Sequence, residues 1–133
     1  MIEIYFESVR TIINSTLIVQ ACTITTDRRS DEIGFLRGDL VFMDGSRLHF
    51  REFVRQVADT PPDRYTYVYH YQNVNGALIF RYDNTSHFPS LSGFPHHKHI
   101  GEADVFSVTP PDLMEVLKEI EATIAADNKI SDT

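Results

Sequence analysis

The chain has one cysteine in 133 residues. Cys22 therefore has no partner for an internal disulfide, which excludes a disulfide-stapled scaffold and suits a reducing, cytoplasmic setting. It lies in an apolar run and reads as a core residue, because free cysteine is among the most buried side chains. Positive charge is also scarce: 12 Lys and Arg stand against 19 Asp and Glu, a formal net charge of -7. A general nucleic-acid coat needs a basic surface, so any contact with RNA must use a local basic patch. The same acidic balance suits a basic protein partner. No apolar run approaches the roughly 18 to 20 residues that span a bilayer. The opening MIEIYFESVR has acidic residues where a signal peptide has basic ones, so no membrane association is expected. The phosphate-binding P-loop, the dinucleotide glycine fingerprint, the G-x-S-x-G elbow and the EF-hand loop are all missing. Repeats, low-complexity blocks and linkers are missing too, which leaves one domain, residues 1–126, and a loose tail, 127–133.

What is present is a core-forming composition, 42% hydrophobic and 11% aromatic. Residues 2–13 place Ile2, Tyr5, Phe6, Val9, Ile12 and Ile13 on one helical stripe. The β-branched run TLIVQACTITT predicts a strand over 16–26, and further strands follow at 33–43, 46–57, 65–72 and 77–83. Asp44-Gly45 and Asn75-Gly76 are tight-hairpin signals. A helix over 110–126, with Thr109 as N-cap and Pro110 in its first turn, closes the domain. The expected fold is α+β: an N-terminal helix, an antiparallel meander of five or six strands, and a C-terminal helix.

Two-residue turns at both glycines set an expected register. Met43 would pair with Ser46, placing Arg37 opposite Glu52; Val74 would pair with Ala77, placing His70 opposite Arg81. A symmetric closure of the ADTPPD loop would then bring Glu52 near His70. The result is a polar row, Arg37–Glu52–His70–Arg81, with Asp83 one step along the last strand. Such a row is either a salt-bridge network or a site in which a carboxylate and an imidazole move protons while arginines hold a phosphate. The other face would carry Tyr65, Tyr67, Tyr69, Tyr71, Phe80 and Tyr82, a ladder for cross-strand packing, for stacking nucleobases, or for the interface of a homodimer.

Four of the six histidines fall in HFPSLSGFPHHKHIG, residues 87–101. An extended 96–100 points His97 and His99 one way, and His96 and Lys98 the other. His97 and His99 could then share a divalent metal, with His87 or Asp83 as third ligand. Alternatively His96 or His97 transfers protons while Lys98 and Arg81 hold phosphate, with no cofactor.

Together, FLRGDLVFMDGSRLHFREFV, YTYVYHYQ, LIFRYDNTSHFP and FPHHKHIG resemble the TumE-like family of small bacterial toxins over roughly residues 3–120. PHHKH after RYDN is the specific part. The resemblance implies the toxin of a type II toxin–antitoxin module, cytoplasmic, bound by a cognate helix-turn-helix antitoxin, with RNA cleavage as the expectation for the class. The shared positions are Arg37, Glu52, His70, Arg81, Asp83, Asn84, His87, His96, His97, Lys98 and His99. The leading expectation is a metal-independent endoribonuclease with Glu52, His70, Arg81, His96 and His97 as catalytic residues and Arg37, Lys98 and Asp83 as substrate-binding ones. The alternatives are a hydrolase with a divalent metal on His87, His97 and His99, and a partner-binding protein without catalysis.

Overall fold

A computed structural model describes residues 1–84 and 95–131, with side chains through residue 128. It begins with helix α1 (Ile2–Asn14), followed by strands β1 (Val19–Arg28), β2 (Ile33–Phe42), β3 (Arg47–Arg55), β4 (Asp63–Gln72) and β5 (Leu78–Asp83). Strands β6 (His97–Ile100) and β7 (Asp104–Ser107) and helix α2 (Leu113–Ser131) complete it. The strands form one antiparallel sheet in chain order, β1 to β7. The α+β architecture and flanking helices are as expected. The histidine segment supplies one short strand, β6, and the residues after it a further one, β7, so the sheet has seven.

Both helices pack on one face of the sheet. Leu36, Leu40, Leu48, Phe50 and Val54 point to that face, joined by Tyr67, Tyr69, Tyr71, Phe80 and Tyr82. They meet Ile2, Phe6, Val9 and Ile13 of α1, and Leu113, Val116, Leu117, Ile120 and Ile124 of α2. The tyrosine ladder is therefore core from Tyr67 to Tyr71, with no ring face left for a nucleobase. Cys22, expected inside, lies on edge strand β1 and is exposed. Helix α2 starts later than expected because Asp112, not Thr109, is the cap. The Glu115 amide donates to Asp112 Oδ1 (2.8 Å) and the Asp112 amide to Glu115 Oε1 (3.4 Å), a reciprocal capping box. The helix then runs through the expected tail to Ser131. No helix among the described residues is long and apolar enough to cross a membrane.

The turns decide which side chains share a face. Phe42 donates to the Ser46 carbonyl and Gly45 to the Phe42 carbonyl, both at 2.9 Å, so Met43–Gly45 is a three-residue loop with Gly45 at φ +84°. Ser46 is thereby turned inward, where it accepts from the Tyr71 hydroxyl at 2.8 Å. This one-residue shift pairs Arg37 with Arg51, and Leu36 with Glu52. The second hairpin has the same loop, with Gly76 at φ +86°. There a bulge at Ile79 cancels the shift, so His70 does lie opposite Arg81.

Helix α1 sits close to the sheet because Gly34 has no side chain. A Cβ there would lie 2.5 Å from the Phe6 ring and 2.9 Å from Ile2. Gly34→Ala is expected to destabilise the fold by about 1–3 kcal/mol through overpacking. Urea denaturation checks this as a lowered midpoint at unchanged slope.

Candidate functional site on the open sheet face

Strand alternation puts two adjacent rows of side chains on the face that neither helix covers. One row crosses β1 to β7 as Thr25, Arg37, Arg51, Val68, Asp83, His97 and Ser107. The other crosses as Thr23, Asp39, His49, His70, Arg81, His99 and Val105. A sheet face that lacks apolar cover needs polar side chains, and here those are chiefly imidazoles and guanidiniums.

Asp83 organises the β5–β6 end. Its Oδ1 lies 2.5 Å from His97 Nε2, and its Oδ2 accepts from Arg81 Nε at 2.9 Å and lies 3.7 Å from His99 Nε2. His97 Nδ1 is 2.8 Å from the Pro95 carbonyl oxygen, an atom that only accepts, so Nδ1 carries a proton and Nε2 is the nitrogen turned to Asp83. The His97 and His99 rings meet edge to face at 5.0 Å. Their surroundings differ: the His97 side chain is 2% exposed, that of His99 23%. His97 can hold Asp83 but cannot reach a large substrate. One carboxylate oxygen and two imidazole nitrogens lie within 4.8 Å of one another, a donor set that suits a divalent transition metal.

Arg81 stands between two imidazoles, His70 on β4 and His99 on β6. Its Nη1 is 3.3 Å from His70 Nδ1, so a neutral His70 accepts there and carries its proton on Nε2. Burial, then the Arg81 guanidinium and His49, lower the pKa of His70 below the ordinary histidine value. His49 in turn contacts Asp39, Nδ1 to Oδ1, at 2.8 Å.

The expected row is thus split between the two faces. Arg37, His70, Arg81, Asp83, His97 and His99 come together on the open face. Glu52, His96 and Lys98 lie on the helix side, and Glu52 is not beside His70 because it pairs with Tyr67. The cause is the three-residue β2–β3 turn, since a slip of one residue reverses every side chain of a strand. His87 lies outside the described residues. Glu52 is 2% exposed and accepts short hydrogen bonds from the Tyr5 and Tyr69 hydroxyls. Arg64 donates to the same Tyr69 oxygen at 2.7 Å and to the Pro111 carbonyl at 2.5 Å. Burial raises the pKa of Glu52 despite those bonds. His96 stacks on Tyr67, with its Nδ1 3.0 Å from the hydroxyl, and burial lowers its pKa. The Tyr67 hydroxyl is itself pushed up to about 12 by burial. Lys98 pairs with Glu119 at 2.7 Å over the Phe80 and Tyr82 rings.

Three residues at these sites escaped the reading of the sequence: His49, Arg51 and Arg64. The signal for two of them was there. The alternation in RLHFREFV puts His49 and Arg51 on one side, and a three-residue turn count places Arg51 opposite Arg37.

One comparison with known proteins gives a match. The family model described as Toxin TumE matches residues 8–127. No curated protein and no solved structure matches the chain.

The Glu52 network has a measurable signature. A carboxyl whose folded pKa is raised stabilises the fold fully below its unfolded value and loses that contribution as pH rises through the folded one. Wild-type stability is expected to carry such a loss above the ordinary carboxylate range, and Glu52→Gln to lack it. Thermal melts across pH compare the two. Glu52→Leu is expected to cost about 1–3 kcal/mol for each tyrosine hydroxyl left without an acceptor.

Proposed function

The chain belongs to the TumE toxin family, and from that premise we propose that it acts by cleaving RNA on the open face of its sheet. The observation that carries this reading is the cross-strand series His70–Arg81–His99, two imidazoles flanking a guanidinium. Neighbouring strands are about 4.8 Å apart, so a phosphodiester held on Arg81 lies within reach of both rings. Cleavage through the 2′-hydroxyl needs a base, an acid and stabilisation of charge on phosphorus. His70, with its lowered pKa, is neutral near pH 7; when the phosphate takes the Arg81 Nη1 donor, His70 Nδ1 is released and takes the 2′-hydroxyl proton. The 2′-oxygen bonds to phosphorus, the P–O5′ bond breaks, and His99 gives its proton to the departing 5′-oxygen. The products are a 2′,3′-cyclic phosphate and a 5′-hydroxyl. Arg81 stabilises the phosphorane, while Asp83 and buried His97 position Arg81 and His99. Glu52, His96 and Lys98 have no part in this scheme, because they lie on the other face.

A second reading has its own support in the Asp83–His97–His99 donor set. In it Asp83, His97 and His99 would hold a divalent metal, whose charge would offset that of the phosphate oxygens. The cellular partner in either reading is a cognate helix-turn-helix antitoxin, and a chain of net charge -7 suits a basic one.

The test is cleavage of a synthetic single-stranded RNA by purified protein with a chelator present. Wild type is expected to cut, and His70→Ala and Arg81→Ala to lose about 10²- to 10⁴-fold in rate with melting curves retained. The acid limb of the rate profile is expected below the ordinary histidine value, because His70 must be neutral to act as a base. Cleavage that survives both substitutions, or equal cleavage of a 2′-deoxy strand, overturns the mechanism. Loss of activity on chelation, restored by a stoichiometric divalent ion, selects the metal reading.

A further inference from the structure

Beside the histidine centre, on the same face, lies a groove of about 680 Å³ running over β1 to β4 and reaching Asn84 just after β5. Its volume falls in the range that accepts a small organic ligand. Arg37 and Arg51 rise from its floor as a direct cross-strand pair. Like charges placed opposite one another destabilise a sheet, and among the described residues neither guanidinium has an ion-pair partner. A chain with an excess of carboxylates thus sets two arginines face to face, and Asp27 in the groove wall is paired with Arg29 at 3.1 Å instead. A bound anion relieves that repulsion.

One end of the groove is aromatic. Phe35 stacks on Phe53 at 4.4 Å with the rings 9° from parallel, and Phe53 meets the edge of Tyr65 at 5.2 Å. Phe35 and Tyr65 remain 40% and 41% exposed. The other end is Val68, whose cross-strand neighbour on β5 is Asp83 of the histidine centre. Exposed ring, paired arginines and imidazole centre therefore follow one another across a single face.

We infer that this groove is the subsite for one nucleotide of a single-stranded RNA, with its base on Phe35 in the place the Arg29 guanidinium now takes, 4.9 Å from the ring centroid, and its phosphate between Arg37 and Arg51. The inference rests on the RNA reading above and extends it to how the strand is held. A single strand is required because only unpaired bases offer their faces for stacking. Arg51 and Asp83 are two strand spacings apart, about 10 Å, so an RNA strand leaving the groove runs on towards Arg81. Specificity for the 2′-hydroxyl is left to the histidines, and the groove sets which bond is presented to them.

Binding can be read apart from cleavage with a fluorescent, fully 2′-O-methylated single-stranded RNA, which lacks the nucleophile. Anisotropy titrations over a range of salt are expected to show tighter binding of the single strand than of its duplex. Phe35→Ala is expected to weaken binding roughly tenfold without changing the salt slope, as loss of stacking does. Arg37→Gln and Arg51→Gln are each expected to lower the slope of log Kd against log salt by about 0.7, one phosphate contact apiece. The two arginines are exposed, so these variants decide the matter even if Phe35→Ala fails to fold. Wild-type binding and slope in both arginine variants overturn the inference, as does equal affinity for the duplex. If RNA is cleaved while these variants bind normally, the groove is refuted and the catalytic reading stands. If the variants weaken binding but wild type never cuts RNA, the groove stands and the catalytic reading is refuted.

Discussion

Asp83 is a buried carboxylate with a guanidinium and two imidazoles around it, and the order of the open face follows from that arrangement. A carboxylate removed from water is costly unless its oxygens are matched by donors or cations. Its partners come from its own strand, Arg81, and from the neighbouring strand, His97 and His99. The contacts thereby fix β6, only four residues long, in register with β5. Arg81 is held by its Nε, which leaves the rest of the guanidinium directed to His70 and to solvent. Slipping β6 by one residue would present His96 and Lys98 to Asp83 and move His97 and His99 to the core side.

The two faces of the sheet each carry one buried acid, and the two acids have different surroundings. Asp83 faces nitrogen cations and imidazoles, at the margin of a solvent-exposed surface. Glu52 faces phenol hydroxyls beneath the helices, where it connects Tyr5 of α1 to Tyr69 of β4 and, through Arg64, to the backbone just before α2. The first is suited to chemistry, because a guanidinium and an imidazole that solvent reaches stand around it. The second is suited to holding two helices on a sheet, because its partners are hydroxyls that stay protonated. Residue type alone does not separate such cases. The deciding fact is which face of the strand the acid occupies.

That fact was only partly legible in the sequence. Alternation and apolar periodicity identified both helices and five strands, and they sorted His97 and His99 from His96 and Lys98. The Asp-Gly and Asn-Gly dipeptides located both hairpins, but did not tell whether each loop had two residues or three. At Gly45 the difference moved Glu52 to the opposite face and brought Arg51, not Glu52, against Arg37. At Gly76 the same error was cancelled by the bulge at Ile79, so the His70–Arg81 pair was obtained by a count that was wrong at the turn and right further along. Ser46 explains the longer first loop: its hydroxyl is wanted inside by Tyr71 and bonds Asp44 at 2.5 Å. That preference is tertiary, and no dipeptide pattern contains it. The cap at Asp112 was closer to hand, since D-x-x-E is a local signal, but the prolines before it drew the boundary too early.

The strand order of the sheet, identical to the chain order, has a consequence for when the protein becomes dangerous. A meander needs no distant segment to complete each pairing, so it can assemble from one edge as the chain is synthesised. The arginine pair and the aromatic end belong to the first four strands and form early. His97 and His99 arrive on the sixth, after about three quarters of the 133 residues have been made. A ribosome carrying an unfinished chain therefore holds the arginine pair and the aromatic end before the imidazoles of β6. The interval between the two is a window in which an inhibitor already present in the cell could meet the surface before the centre is complete.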